Sequence, residues 1–144
     1  MGDPEFIFGS ISGTTITGET LTAAYTGTGA LISRTIPTKN IFTIALDIFY
    51  TMGATETGNS IELAVDTSID GTNWTRIAND SSSAGTSTLT RREFTFVGAD
   101  AALSTIHLPI NNITANYVRV SAKETGKATN FGTLAIALTQ FQEV

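Results

Sequence analysis

IFTIALDIFY, residues 41–50, is the stretch on which the fold turns. It is the longest apolar run of the chain, and Thr43 and Asp47 interrupt it. A membrane-spanning helix needs about 20 apolar residues, roughly twice this length. Phe42, Ile44, Leu46, Ile48 and Tyr50 fall on every second position and alternate with mostly smaller side chains. Period two puts alternate residues on opposite faces of a strand, so the run reads as a half-buried β-strand.

The same alternation recurs along the chain. Ile61, Leu63 and Val65 alternate with Glu62, Ala64 and Asp66; Phe94 and Phe96 with Glu93, Thr95 and Val97. Ile106, Leu108 and Ile110 enclose His107 and Pro109. Val118, Val120 and Ala122 alternate with Tyr117, Arg119 and Ser121, and Leu134, Ile136 and Leu138 with Thr133, Ala135, Ala137 and Thr139. Gly- and Asn-rich turn signals separate the runs, and no stretch carries a 3.6-residue period. The expected class is all-β: a two-sheet antiparallel sandwich, jelly-roll-like, with 8–9 strands. Thirteen of the alternating side chains form the expected core: Ile44, Leu46, Leu63, Val65, Trp74, Phe94, Phe96, Ile106, Leu108, Val118, Val120, Ile136 and Leu138.

Three parts of the chain are separated. MGDPEF, residues 1–6, reads as a segment left by a cloning site and is set aside. Residues 7–30 are Gly- and Thr-rich with few large apolar side chains, and read as an N-terminal arm or an edge strand. Residues 31–144 form a single sandwich domain, a size at which one chain builds one core. No basic segment followed by a long apolar one marks a secretion signal.

Charge is sparse: 15% of residues are charged, against roughly 25% in ordinary soluble domains. Threonine takes their place, with 26 copies. The net charge of −5 and the single adjacent basic pair, Arg91–Arg92, argue against a nucleic-acid partner. No segment is suited to a membrane, and no cofactor motif is present: neither a phosphate-binding glycine loop nor a dinucleotide fingerprint occurs. The chain has no cysteine, which removes disulfides, thiolate nucleophiles and cysteine-based zinc sites.

The acids of VDTSIDGTNWTRIAND, residues 65–80, invite a metal reading. Asp66, Ser68, Asp70 and Gly71 match the front of a calcium loop, but Ile77 stands where the closing glutamate belongs. A hairpin turn explains the same residues: Asp70-Gly71 supplies the positive φ of a tight turn, and Trp74 opens the next strand with its indole turned to the core. No metal site is expected. His107, the only histidine, falls between inward residues and so faces outward; no catalytic set forms around it, and no enzyme is expected.

SIDGTNWTRI (68–77), ANYVRVSAKETG (115–126) and NFGTLAIAL (130–138) together resemble small virion proteins of tailed bacteriophages. Those are β-sandwich proteins of head decoration or tail, often trimeric. The resemblance covers roughly the C-terminal half and implies a non-enzymatic structural protein located in the virion. Its partners would be its own copies, with a trimer favoured, and other virion proteins. The same D-G-x-x-W hairpin with Asn116-Tyr117-Val118-Arg119-Val120 also resembles discoidin-type binding sandwiches, although this chain lacks their disulfide and has one tryptophan. That resemblance implies a carbohydrate-binding module, with Tyr25, Tyr50 and Tyr117 as stacking aromatics. For the structural reading, the expected subunit interface is the small, flat outward face of the last strand: Thr133, Ala135, Ala137 and Thr139.

Overall fold

The computed structural model describes residues 5–76, 78–83, 86–91, 93–97, 103–111 and 113–142. Fifteen strand segments follow one another in these residues, with no helix among them. In order they are β1 (Glu5–Phe8), β2 (Ser10–Ser12), β3 (Thr15–Thr17), β4 (Glu19–Thr20), β5 (Leu31–Ile32), β6 (Ile36–Pro37), β7 (Ile41–Thr51) and β8 (Ser60–Ser68). Then come β9 (Trp74–Arg76), β10 (Ala78–Ser83), β11 (Thr86–Arg91), β12 (Glu93–Val97), β13 (Leu103–Ile110), β14 (Tyr117–Thr125) and β15 (Thr133–Gln142).

Register reduces these segments to eight strands. β15 pairs with β7 on one flank, and β1 and β4 both pair on the other, at Leu138–Ile136 and at Leu134–Thr133. β1 and β4 are therefore one edge strand, interrupted by the β2–β3 hairpin. In the same way β5 and β6 share one flank of β14, whose other flank holds β8. β9 and β12 share the free flank of β8, with the β10–β11 hairpin between them. All these pairings are antiparallel.

The first of the eight strands pairs with the last, the second with the seventh, the third with the sixth and the fourth with the fifth. This nesting is jelly-roll connectivity. The first sheet runs β1/β4–β15–β7–β13, and the second runs β12/β9–β8–β14–β5/β6.

The core lies between the sheets, where the two inward faces meet. Ile44, Leu46, Ile48 and Tyr50 of β7 pack with Leu134, Ile136 and Leu138 of β15 against Ile61, Leu63 and Val65 of β8 and Val118, Val120 and Ala122 of β14. Each large aliphatic side chain withdrawn from water in this way contributes roughly 1.5–3 kcal/mol. Ile106 and Leu108 face the same core but are only half-buried, because β13 is an edge strand. Phe94 is partly buried against the core, and the Phe96 side chain lies outside the described residues.

One expectation needs correcting. Trp74 is not in the core: it is half-buried on the outer face of the second sheet, because the register sets it opposite Ser68. Glu5 and Phe6, set aside with the first six residues, belong to β1, where Glu5 pairs opposite Leu138 and forms an ion pair with Arg34. Residues 7–30 contribute Ile7, Phe8, Leu21 and Tyr25 to the buried set, on the same chain's own sheets. Gly9 makes the exit into the β2–β3 hairpin possible: its φ is 72°, and a Cβ there would lie 2.4 Å from the Thr17 carbonyl oxygen and 2.8 Å from the Ala135 Cβ.

Candidate functional site: the outer face of the first sheet

Strand alternation turns the odd-numbered residues of β7, β13 and β15 away from the core. Thr43, Ala45, Asp47, Phe49 and Thr51 come from β7; Leu103, Thr105, His107 and Pro109 from β13; and Thr133 to Phe141 from β15. Among these described outward positions only Asp47 and His107 are ionisable. They stand opposite each other in register, with His107 Nδ1 2.6 Å from Asp47 Oδ1. Beside them is a shallow hollow of about 420 Å³ lined by Asp47, Phe49, Thr105 and His107.

The expected interface residues are not equally open. Thr139 is exposed, and Thr133 and Ala137 are half-buried. Ala135 is 1% exposed, with Gly9 set against its Cβ, so the start of the β2–β3 hairpin closes that position. The open part of the face therefore lies along β13, at Leu103, Thr105, His107 and Pro109, and at Thr139, away from Ala135 and from Ala45, which is 2% exposed.

The outer face of the second sheet is built differently. Glu62 and Lys123 pair at 3.1 Å and Asp66 and Arg119 at 3.0 Å, each across the β8–β14 register. The Arg119 guanidinium also lies 4.5 Å from the centre of the Trp74 ring. The described charged side chains of β8 and β14 on this face are thus matched in pairs, and one pair is stitched to aromatic surface.

The three tyrosines do not form a stacking platform. Tyr25 is 8% exposed, with the Lys123 ammonium over its ring, and Tyr50 is 1% exposed inside the sandwich. Tyr117 is half-buried near Gly71 on the second sheet. A sugar ring needs an open aromatic face, and two of these rings have none.

Asp66, Glu124 and Glu56 are occupied by the fold itself. Asp66 holds Arg119. Glu124, 2% exposed, accepts the Tyr50 hydroxyl and the Gly132 N–H. Burial pushes the Tyr50 phenol far above its usual range, and the neighbouring Glu124 and Glu56 charges push the same way. Glu56 accepts the N–H groups of Thr129, Asn130 and Ala128, and these bonds hold its carboxyl below the usual range.

The calcium-like spacing resolves into a turn. Asp70 accepts the N–H groups of Asn73 and Thr72 and the Asn73 side-chain amide, while Ser68 Oγ accepts the Gly71 N–H. Those donors hold the Asp70 carboxyl far below the usual range. Gly71 carries the positive φ that the turn needs, 79°. Asp66 and Asp70 thus face different partners.

The Asp47–His107 hydrogen bond across β7 and β13 is the feature that the sequence reading did not assemble. The outward position of His107 was legible from alternation; its partner, 60 residues earlier, was not. No family model matches the chain, and no curated protein matches it.

Proposed function

We propose that the chain is a non-enzymatic structural protein of a virion, a capsid-decoration or tail component that works by self-association and by binding other virion subunits. One observation carries this reading: the described outward positions of β7, β13 and β15 offer mostly Thr, Ala and Phe with a single Asp47–His107 hydrogen bond, where a solvent-facing sheet usually carries Lys, Glu and Arg. Interface cores are depleted of charge, because a charge taken out of water must be paired. The mechanism is surface burial without covalent chemistry. A trimer is the favoured assembly, on the likeness of the three sequence stretches to phage virion proteins alone.

The test is the mass of the purified chain by light scattering at about tens of micromolar, where an interface above about 1,000 Å² holds copies together. A multiple of the chain mass is expected. Ala137→Glu with Thr139→Lys should return single chains with an unchanged circular dichroism spectrum. A single-chain mass for the unaltered protein would sink the reading.

A further inference from the structure

One end of the sandwich holds a hollow of about 300 Å³, between the turn that joins β6 to β7 and the loop that joins β13 to β14. Its two walls are tied together by hydrogen bonds. The Thr38 N–H donates to the Asn116 carbonyl at 2.8 Å, and the Ile113 N–H donates to the Phe42 carbonyl at 3.0 Å. The Thr38 hydroxyl donates to the Ala115 carbonyl at 2.6 Å. The hollow is therefore formed before any ligand arrives, and binding does not have to order its loops.

Its lining combines three kinds of group. Phe42 is 42% exposed and puts an aromatic surface in the wall. Asn40, Thr114 and Asn116, all exposed, put amides and a hydroxyl around it. Asn40 does so from a left-handed φ of 64°, which turns the chain at the rim. Lys39 adds an ammonium, and no carboxylate lines the hollow among the described residues, although the chain has a net charge of −5. Lys39 also differs from the other described cations. Arg34 pairs with Glu5, Arg119 with Asp66 and Lys123 with Glu62, while Lys127 lies 4.5 Å from the centre of the Phe131 ring. Among the described lysine and arginine side chains, only Lys39 has no such partner.

We propose that this hollow binds one sugar unit of an acidic saccharide, a pyranose ring that carries hydroxyls and a carboxylate. The C–H face of such a ring is apolar and suits the Phe42 phenyl. Its hydroxyls suit the amides of Asn40 and Asn116 and the Thr114 hydroxyl, and its carboxylate suits the Lys39 ammonium. A simple carboxylate would use Lys39 but not the amides, hydroxyl and aromatic surface beside it. The site is complete in a single chain, so it stands apart from the self-association reading.

The experiment titrates the full isotope-labelled chain with sodium glucuronate, glucose and acetate, and follows the amide shifts by NMR. A ligand of this size in an open hollow is expected to bind with a Kd of about 1 mM. Glucuronate should move the amides of residues 38–42 and 113–116 and saturate. Glucose should bind about two- to fivefold more weakly, the scale of one exposed ion pair, and acetate should not saturate. Lys39→Gln should bring glucuronate down to the glucose value, and about 0.5 M salt should do the same by screening. Phe42→Leu, which keeps apolar bulk without a ring, should abolish saturation by both sugars. Glucose binding as tightly as glucuronate, or a glucuronate constant unchanged in Lys39→Gln, overturns the acidic class of ligand. No shift at about 50 mM glucuronate, shifts confined to other parts of the chain, or an unchanged constant in Phe42→Leu overturns the site itself.

Discussion

The two outer faces of the sandwich come from one pairing scheme and one composition, yet they are finished in opposite ways. On the second sheet, β8 and β14 set Glu62 against Lys123 and Asp66 against Arg119, and Trp74 lies under the guanidinium. On the first sheet, β7, β13 and β15 set threonine and alanine against one another around a single Asp–His pair. A sheet face can satisfy water with paired charge, or it can leave small side chains that a neighbour can approach closely. The contrast is one of charge: matched ion pairs between β8 and β14, and a single acid and base at the described outward positions of β7, β13 and β15.

The largest expected effect tests whether the contrast is confined to the outside. Leu46 lies beneath the first face and Leu63 beneath the second, and both are fully buried. Leu46→Ala and Leu63→Ala should each lose about 2–4 kcal/mol of folding stability in urea titrations, the usual range for truncating a packed leucine. Equal losses leave the difference between the faces at the surface. A near-zero loss at either position would mean that its sheet is not closed over the core as described.

The next effect is smaller and separates the faces directly. The Asp66 side chain is 4% exposed and its Arg119 partner 30%. Asp66→Ala leaves the guanidinium without its carboxylate and should cost about 1–3 kcal/mol, below the figure for a fully buried pair because Arg119 keeps some water. Thr139→Lys, on the exposed part of the other face, should change folding stability by less than about 0.5 kcal/mol. If Asp66→Ala proves silent in the same urea titration, the ion pairs of the second face are ornaments of the surface and the contrast fails.

The smallest effect concerns the turn at the end of β8. The Asp70 carboxyl is depressed in the folded chain, so it contributes stability above the ordinary carboxylate range and loses that contribution as pH falls through its folded value. Thermal midpoints should decline on acidification below about pH 4, and Asp70→Asn should flatten part of that decline. Millimolar calcium should leave the midpoint unchanged, because the Asp70 oxygens already accept donors of their own turn. A rise of several degrees with calcium, lost in Asp70→Asn, would replace the turn by an ion site.

Much of the sandwich was legible because period two is a local signal. Ile44, Leu46, Leu63, Val65, Val118, Val120, Ile136 and Leu138 were placed inside by alternation alone, and all are buried. The edge strands were harder. β4, β5 and β6 are two residues long, too short to show any period. The core residues within and beside them are single apolar side chains, Leu31 and Ile36 inside β5 and β6 and Leu21 just after β4, in a Gly- and Thr-rich background. Trp74 misled for a different reason. A large apolar ring favours burial wherever it is, but a neighbouring guanidinium can cover it as well as the core can.

The candidate site was legible only in part. The outward sense of Thr133, Ala137 and Thr139 follows from alternation, and so does that of His107. The closure of Ala135 depends on Gly9, more than 120 residues away in sequence. The buried Tyr50–Glu124 bond joins residues 74 apart, and the pair on the open face joins residues 60 apart.

The sequence by itself determined that the chain forms strands, which side chains of the long strands turn inward, where Asp70 and Gly71 make a turn, and that charge is scarce. Those properties reside in each residue and its near neighbours. Only the tertiary structure decided which strand lies beside which, that three of the eight strands are interrupted, and that Asp47 meets His107 across β7 and β13. Pairing is a relation between distant segments, chosen by the closure of a common core, and no local period records it.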